Sequence, residues 1–171
     1  MALSFFNVLS AMFFTMAASN MGSVFGPGSF CIHFLLIAVI YEALRGEFHV
    51  SILFVLFLGF FGDSMASGPP GLFFLLITGI YFLFFVLSRR FRGGNVIILM
   101  LIFSTAGSII FDTGYGLLLS IVYSDSLIST MITDVVWRDA VATGIMGPVV
   151  VWLQQVIEKV WMARVRARRK L

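Results

Sequence analysis

The sequence predicts an all-α, polytopic membrane protein of about six transmembrane helices. Three observations carry this. Of 171 residues, 60% are hydrophobic and only 11% charged, with 20 Phe among them; a soluble domain of this size needs far more charge to cover its surface. The apolar runs are long and continuous rather than alternating, which selects helices over a barrel as the way to satisfy backbone groups in lipid. The basic residues fall into groups, and the gaps before and between them are each long enough for two crossings, which reads as three helical hairpins.

At about 20 residues per crossing, six spans consume about 120 residues, and no sizeable soluble domain fits beside them. The chain therefore reads as a single domain, 1–171, ending in a basic tail at 161–171. Spans are expected near 3–22, 28–44, 49–64, 71–88, 95–122 and 135–160. The first has no Lys or Arg ahead of its apolar core, so it reads as a retained helix rather than a secretory signal peptide. Gly26-Pro27-Gly28 and Ser67-Gly68-Pro69-Pro70-Gly71 supply turn chemistry after the first and third spans. Pro148 lies inside the sixth and is expected to kink it or leave it locally unwound. The single cysteine, Cys31, rules out an intrachain disulfide.

Charge placement orients the hairpins. Arg45, then Arg89, Arg90 and Arg92, then Lys159, Arg164, Arg166, Arg168, Arg169 and Lys170 all fall at one membrane face. The opposite turns, around 23–28, 64–70 and 123–134, contain no basic residue. By the positive-inside rule both termini are then cytoplasmic. Arg138, near the outer end of the sixth span, is the exception among the 11 basic residues.

Ionisable residues at membrane depth are costly and mark positions to explain. Asp63 stands at the outer end of the third span, and Asp112 lies about 25 Å along the fifth from its inner start. Asp63, Asp112 and Arg138 are therefore candidates for a common outer polar cluster. Asp134, one helical turn from Arg138, is another partner for it, and snorkelling to water is the bland alternative. A catalytic reading would make the two acids an intramembrane aspartyl protease sharing one proton. Asp112-Thr113-Gly114 spells the aspartic-protease triplet, but that triplet works in a strand-turn setting and here lies in an apolar helix. Gly59 stands four residues before Asp63 where such membrane proteases would want Gly-x-Gly-Asp. Hydrogen-bonding acids at helix ends or between helices are the favoured reading, and no catalytic residue is assigned. Glu42 and Arg45, at i,i+3, read as a structural helix end. His33 is alone in the second span, with no Cys, His or Glu at ligand spacing, so neither a metal nor a cofactor is expected.

Gly22 with Gly26, and Ser104 with Ser108, are small-xxx-small pairs that permit close helix approach. The tail interleaves Trp161, Met162 and Val165 with basic residues. Arg164, Arg166, Arg168, Arg169 and Lys170 are expected on an anionic cytoplasmic leaflet, each contributing about 1 kcal/mol. So short a tail makes nucleic acid a poor alternative partner.

Two stretches carry a family resemblance. Gly59-Phe60-Phe61-Gly62-Asp63-Ser64-Met65-Ala66-Ser67-Gly68-Pro69-Pro70-Gly71 resembles the central motif of the MreD rod shape-determining family. That motif runs from a Gly to an Asp four residues on, a Ser-Gly turn, often a Pro, and a Gly eight residues after the Asp. Gly59, Asp63, Pro69 and Gly71 match its spacing; Ser67-Gly68 comes one residue late, and Pro70 replaces a common Leu. Gly144-Ile145-Met146-Gly147-Pro148 is similar to the family's late Gly-x-x-x-Pro segment. Pro27, Tyr41 and Leu44-Arg45-Gly46 fit its outline, so the resemblance covers most of the chain.

The resemblance implies a non-enzymatic subunit of the bacterial inner membrane that supports peptidoglycan synthesis and cell shape. The implied partners are MreC, through its transmembrane helix, the glycosyltransferase RodA with its transpeptidase, and indirectly the MreB filament. It also implies a fold similar to the substrate-binding components of energy-coupling-factor vitamin transporters, and such a subunit is the alternative function. Fold alone does not separate the two. A vitamin-binding subunit should converge polar and aromatic groups on an outer cavity, and the sequence offers only Asp63, Asp112, Asn20 and Tyr81 for one.

Overall fold

The computed structural model describes residues 12, 33–45, 48–66, 69–91, 94–123, 136–153 and 155–156. Five helices organise them: α1 (Phe34–Arg45), α2 (Phe48–Met65), α3 (Leu72–Arg90), α4 (Val96–Tyr123) and α5 (Val136–Leu153). The last four are long and apolar enough to cross a membrane, so the described chain is an all-helical, multi-pass membrane bundle. The sequence-derived bounds for α2, α3 and α4 agree to within two residues. The first expected span, apart from Met12, and residues 28–32 of the second lie outside the described residues.

α1 is the centre of the bundle. Every residue from Leu35 to Ala43 is buried, Glu42 among them. It packs against α2, α3 and α4, and α3 in turn packs against α2 and α4. The outer helices bury one face and expose another. On α2, Val55, Leu58, Gly59 and Gly62 turn inward, whereas Leu53, Phe57 and Phe60 are exposed, at the i, i+4, i+7 spacing of one helix side. Exposed apolar faces of this kind suit lipid, which offers no penalty to them.

From α1 to α4 the helices alternate in direction, as the contacts between their ends show. One end of the bundle gathers the end of α1, the start of α2, the end of α3 and the start of α4. There the Ser88 hydroxyl lies 3.1 Å from the Ala43 carbonyl and 2.9 Å from Phe85 O on its own helix, and the Arg89 guanidinium lies 4.7 Å over the Phe85 ring. Arg89 and Arg90 close the last turn of α3, where cations complement the helix dipole. Asn95 caps α4, its Oδ1 accepting the Ile97 N–H at 3.0 Å. Glu42, read from the sequence as part of a helix end, is only 1% exposed. Its Oε2 accepts the Ser51 hydroxyl at 3.0 Å, beside the fully buried Tyr81.

Pro148 does not unwind α5, which is helical throughout 136–153. Without an N–H, Pro148 leaves the Gly144 carbonyl free of its helical bond. That carbonyl faces the Ser104 hydroxyl of α4 at 3.4 Å, while the hydroxyl lies closer, at 2.6 Å, to Met100 O on its own helix. Gly144 and Gly147 make the approach feasible: a Cβ on either would overlap Thr105 or Ser104. A neighbouring hydroxyl at close range is how membrane helices tolerate an internal proline.

Candidate functional site

The end of the bundle opposite Arg89 carries two separate polar features. The first is the α2–α3 turn. Gly59 and Gly62 lie under Phe74 and Phe73, and a Cβ on Gly62 would overlap the Phe73 ring. This close approach brings the start of α3 against the last turn of α2. Asp63 then accepts the Gly71 N–H at 2.6 Å and the Phe73 N–H at 3.2 Å, one with each carboxylate oxygen. These are amide groups that no helical carbonyl can satisfy, and a carboxylate there also meets the positive end of the helix dipole. Gly71 has φ 89°, and no side chain of its own caps α3. A non-glycine residue at that backbone conformation is strained. The Gly59, Asp63, Pro69, Gly71 spacing thus has a physical content: an acid from one helix caps the next across a glycine turn. Ser67 and Gly68 lie outside the described residues.

The second feature is a polar cluster in the bundle interior. His33, immediately before α1, places Nε2 2.9 Å from Asp112 Oδ1 on α4. Nε2 is fully buried yet has no aligned hydrogen bond, so the Asp112 oxygen sits off the line of a ring N–H. Asp112 Oδ2 accepts the Ser108 hydroxyl at 3.1 Å. Asp139 of α5, 5% exposed, completes the group: one donor atom each from His33, Asp112 and Asp139 lie within 4.8 Å of one another. The His33 backbone N–H donates to Thr143 Oγ1 at 3.2 Å, tying this residue to α5 as well.

The sequence expectation of a cluster of Asp63, Asp112 and Arg138 is therefore revised. Asp63 serves the turn, Asp112 meets His33, and the Arg138 side chain is exposed while its neighbour Asp139 turns inward. Adjacent helical residues differ by about 100° in direction, and here the inward position falls to Asp139. His33, isolated in its own span, finds its partners on other helices. Asp134, the tail residues Arg164, Arg166, Arg168, Arg169 and Lys170, and the Gly22–Gly26 pair lie outside the described residues.

Asp139 was missed by sequence reasoning, although a signal existed. Ser104, Ser108 and Asp112 repeat every four residues on α4, and Asp139, Thr143 and Gly147 do so on α5. Polar and small residues at that period on an apolar helix define its inward face. In the structure Ser104, Ser108, Asp139 and Thr143 are all buried.

The two features are joined by rings. Phe73, first seated on Gly62, lies edge-on to Phe111 at 5.0 Å, and Phe111 is tilted 5.3 Å from the His33 ring. Tyr115 stacks on the same Phe111 at 5.9 Å. Tyr81, another polar group considered for a ligand cavity, is elsewhere, beside Glu42. Nine residues along α1 separate Glu42 from His33, about 13 Å of helix rise.

Together these define a polytopic helical membrane protein with a capped glycine-turn motif and an internal His-Asp-Asp cluster. Comparison with family models, curated proteins and solved structures returns no match.

Proposed function

We propose that this chain is an MreD-like, non-enzymatic membrane subunit of the bacterial cell-wall elongation machinery. It would bind the transmembrane helix of MreC and, through it, support RodA, its transpeptidase and MreB. The observation that carries the reading is the geometry behind the motif spacing. The Gly59 approach, the Asp63 cap and the left-handed Gly71 form one device, so the resemblance rests on residues that act together rather than on scattered identities. The Gly144–Pro148 segment is likewise a packing device, against Ser104 and Thr105. In this proposal the bundle has six spans with both termini in the cytoplasm, and the exposed apolar faces of α2 to α5 receive lipid or partner helices.

Depletion in the native cell tests it. Rods that round up, and a chain carrying Asp63→Ala that fails to restore width, are the expected results. Normal shape with failure to grow on limiting vitamin would overturn the proposal in favour of a transporter subunit. Such a subunit needs polar groups converging on one cavity, whereas Tyr81 and Asp112 lie with different partners here.

A further inference from the structure

We infer that His33, Asp112 and Asp139 form a binding site for one divalent first-row transition-metal ion, of the zinc or manganese kind, inside the helical bundle. The inference is independent of the cell-shape reading, which assigns these residues no role.

The donor set comes first. An imidazole nitrogen and two carboxylates, with no sulfur, suit Zn²⁺, Mn²⁺ or Fe²⁺ and disfavour Cu(I). One donor atom from each residue already lies within 4.8 Å of the others. Donors held at about 2.1 Å on a tetrahedral ion lie about 3.4 Å from one another. The widest separation, within 4.8 Å, therefore has to close by about 1 Å or somewhat more, which side-chain rotation supplies. Three protein ligands leave a tetrahedral ion one position for water.

The state of the imidazole supplies a second argument. Nε2 is buried without an aligned hydrogen bond, although an Asp112 oxygen is 2.9 Å away. A buried ring nitrogen and a carboxylate oxygen this close without a hydrogen bond are two donor atoms that one cation can share. A neutral imidazole, two carboxylates and a divalent ion sum to zero charge, which is the favourable total for a group inside an apolar bundle.

The surroundings hold the ligands in place, as metal sites require. The Ser108 hydroxyl orients Asp112 through its other oxygen at 3.1 Å. Thr143 fixes the His33 backbone from the helix that carries Asp139, and Phe111 flanks the imidazole. An ion here would bridge α4, α5 and the segment leading into α1, three elements brought together by tertiary packing alone.

The experiment uses the full chain purified in detergent and stripped with chelator. Equilibrium dialysis against Zn²⁺ should give one ion per chain. Co²⁺ should give the visible ligand-field bands of a low-symmetry N/O site, displaced by zinc. His33→Ala and Asp139→Asn should each weaken uptake at least about a hundredfold, and Ser108→Ala about tenfold. His49→Ala, at an exposed position on α2, and Asp63→Asn should leave it unchanged. X-ray absorption of the unmodified zinc form should show one imidazole among oxygen donors, a readout that does not depend on any variant folding. Absence of saturable uptake, uptake unaffected by His33→Ala in a variant with native circular dichroism, or a zinc shell without imidazole would overturn the site.

Discussion

Asp63 and Asp112 are both single acids in long apolar stretches, at the same end of the bundle, and they are satisfied in opposite ways. Asp63 is answered by the backbone: two amide groups at the start of the next helix, eight and ten residues further along the chain. Asp112 is answered by side chains: Ser108 on its own helix, and His33 from a distant segment. The first arrangement is local, half-exposed and built by a turn. The second exists only when α1, α4 and α5 are packed. The contrast teaches that a polar residue in a membrane helix has two routes to low energy, and that they differ in what must fold first.

The largest expected effect breaks the tertiary arrangement. His33→Ala leaves Asp112 and Asp139 in the bundle without the imidazole between them. Leaving the Asp112 carboxyl short of a buried partner costs about 1–3 kcal/mol, and the space vacated by the ring adds to it. Unfolding of the purified protein in mixed micelles should show a loss of that size. A loss under about 1 kcal/mol would mean that water reaches the two carboxylates, and that the cluster is less enclosed than the burial of Asp139 implies.

A smaller loss is expected from breaking the local arrangement. Asp63→Ala strands two amide groups at a partly exposed helix start, where water can replace the carboxylate in part. Loss of a charged cap is worth about 1–3 kcal/mol. The ring contacts from Phe73 through Phe111 to His33 should couple the two sites. A double-mutant cycle of Asp63→Ala with His33→Ala is expected to deviate from additivity by about 0.5 kcal/mol or more. Strict additivity would make the turn and the cluster independent despite the intervening rings.

The same contrast explains what was legible in the sequence. Helix limits followed from apolar run length and from Gly and Pro, both local signals, so α2, α3 and α4 emerged nearly as they are. The turn was legible for the same reason: Gly59, Asp63 and Gly71 sit at fixed offsets on one short stretch. The cluster was not, because its members come from three separate parts of the chain. Arg138 stands out in the sequence as a cation near the outer face, whereas only helix phase decides which of two adjacent residues faces inward. The four-residue repeats Ser104-Ser108-Asp112 and Asp139-Thr143-Gly147 held that phase. Burial of α1 on every side was equally hidden, since a central helix and a lipid-facing helix have the same composition.

The smallest effect separates charge from hydrogen bonding at the turn. Asp63→Asn keeps a carbonyl oxygen that can take the Gly71 N–H, the shorter bond at 2.6 Å. The amide NH₂ then meets the Phe73 N–H, donor against donor, so the 3.2 Å bond is lost. The negative charge at the helix start is lost with it, a contribution of about 0.3–1 kcal/mol in such positions. A total loss of about 1 kcal/mol is expected, below that of Asp63→Ala. Salt distinguishes the two parts, because ions screen the charge–dipole term at a half-exposed site but not a hydrogen bond already in contact. With Asp63 held at 2.6 Å from an amide nitrogen, most of the loss should persist between low and high salt. A loss that vanishes at high salt would reduce Asp63 to a surface charge near a helix end, and the motif's fixed eight-residue spacing would then need another cause. Asp112→Asn serves as the internal reference: its oxygen faces an imidazole rather than a backbone amide, so it should cost more than Asp63→Asn in the same titration and respond less to salt.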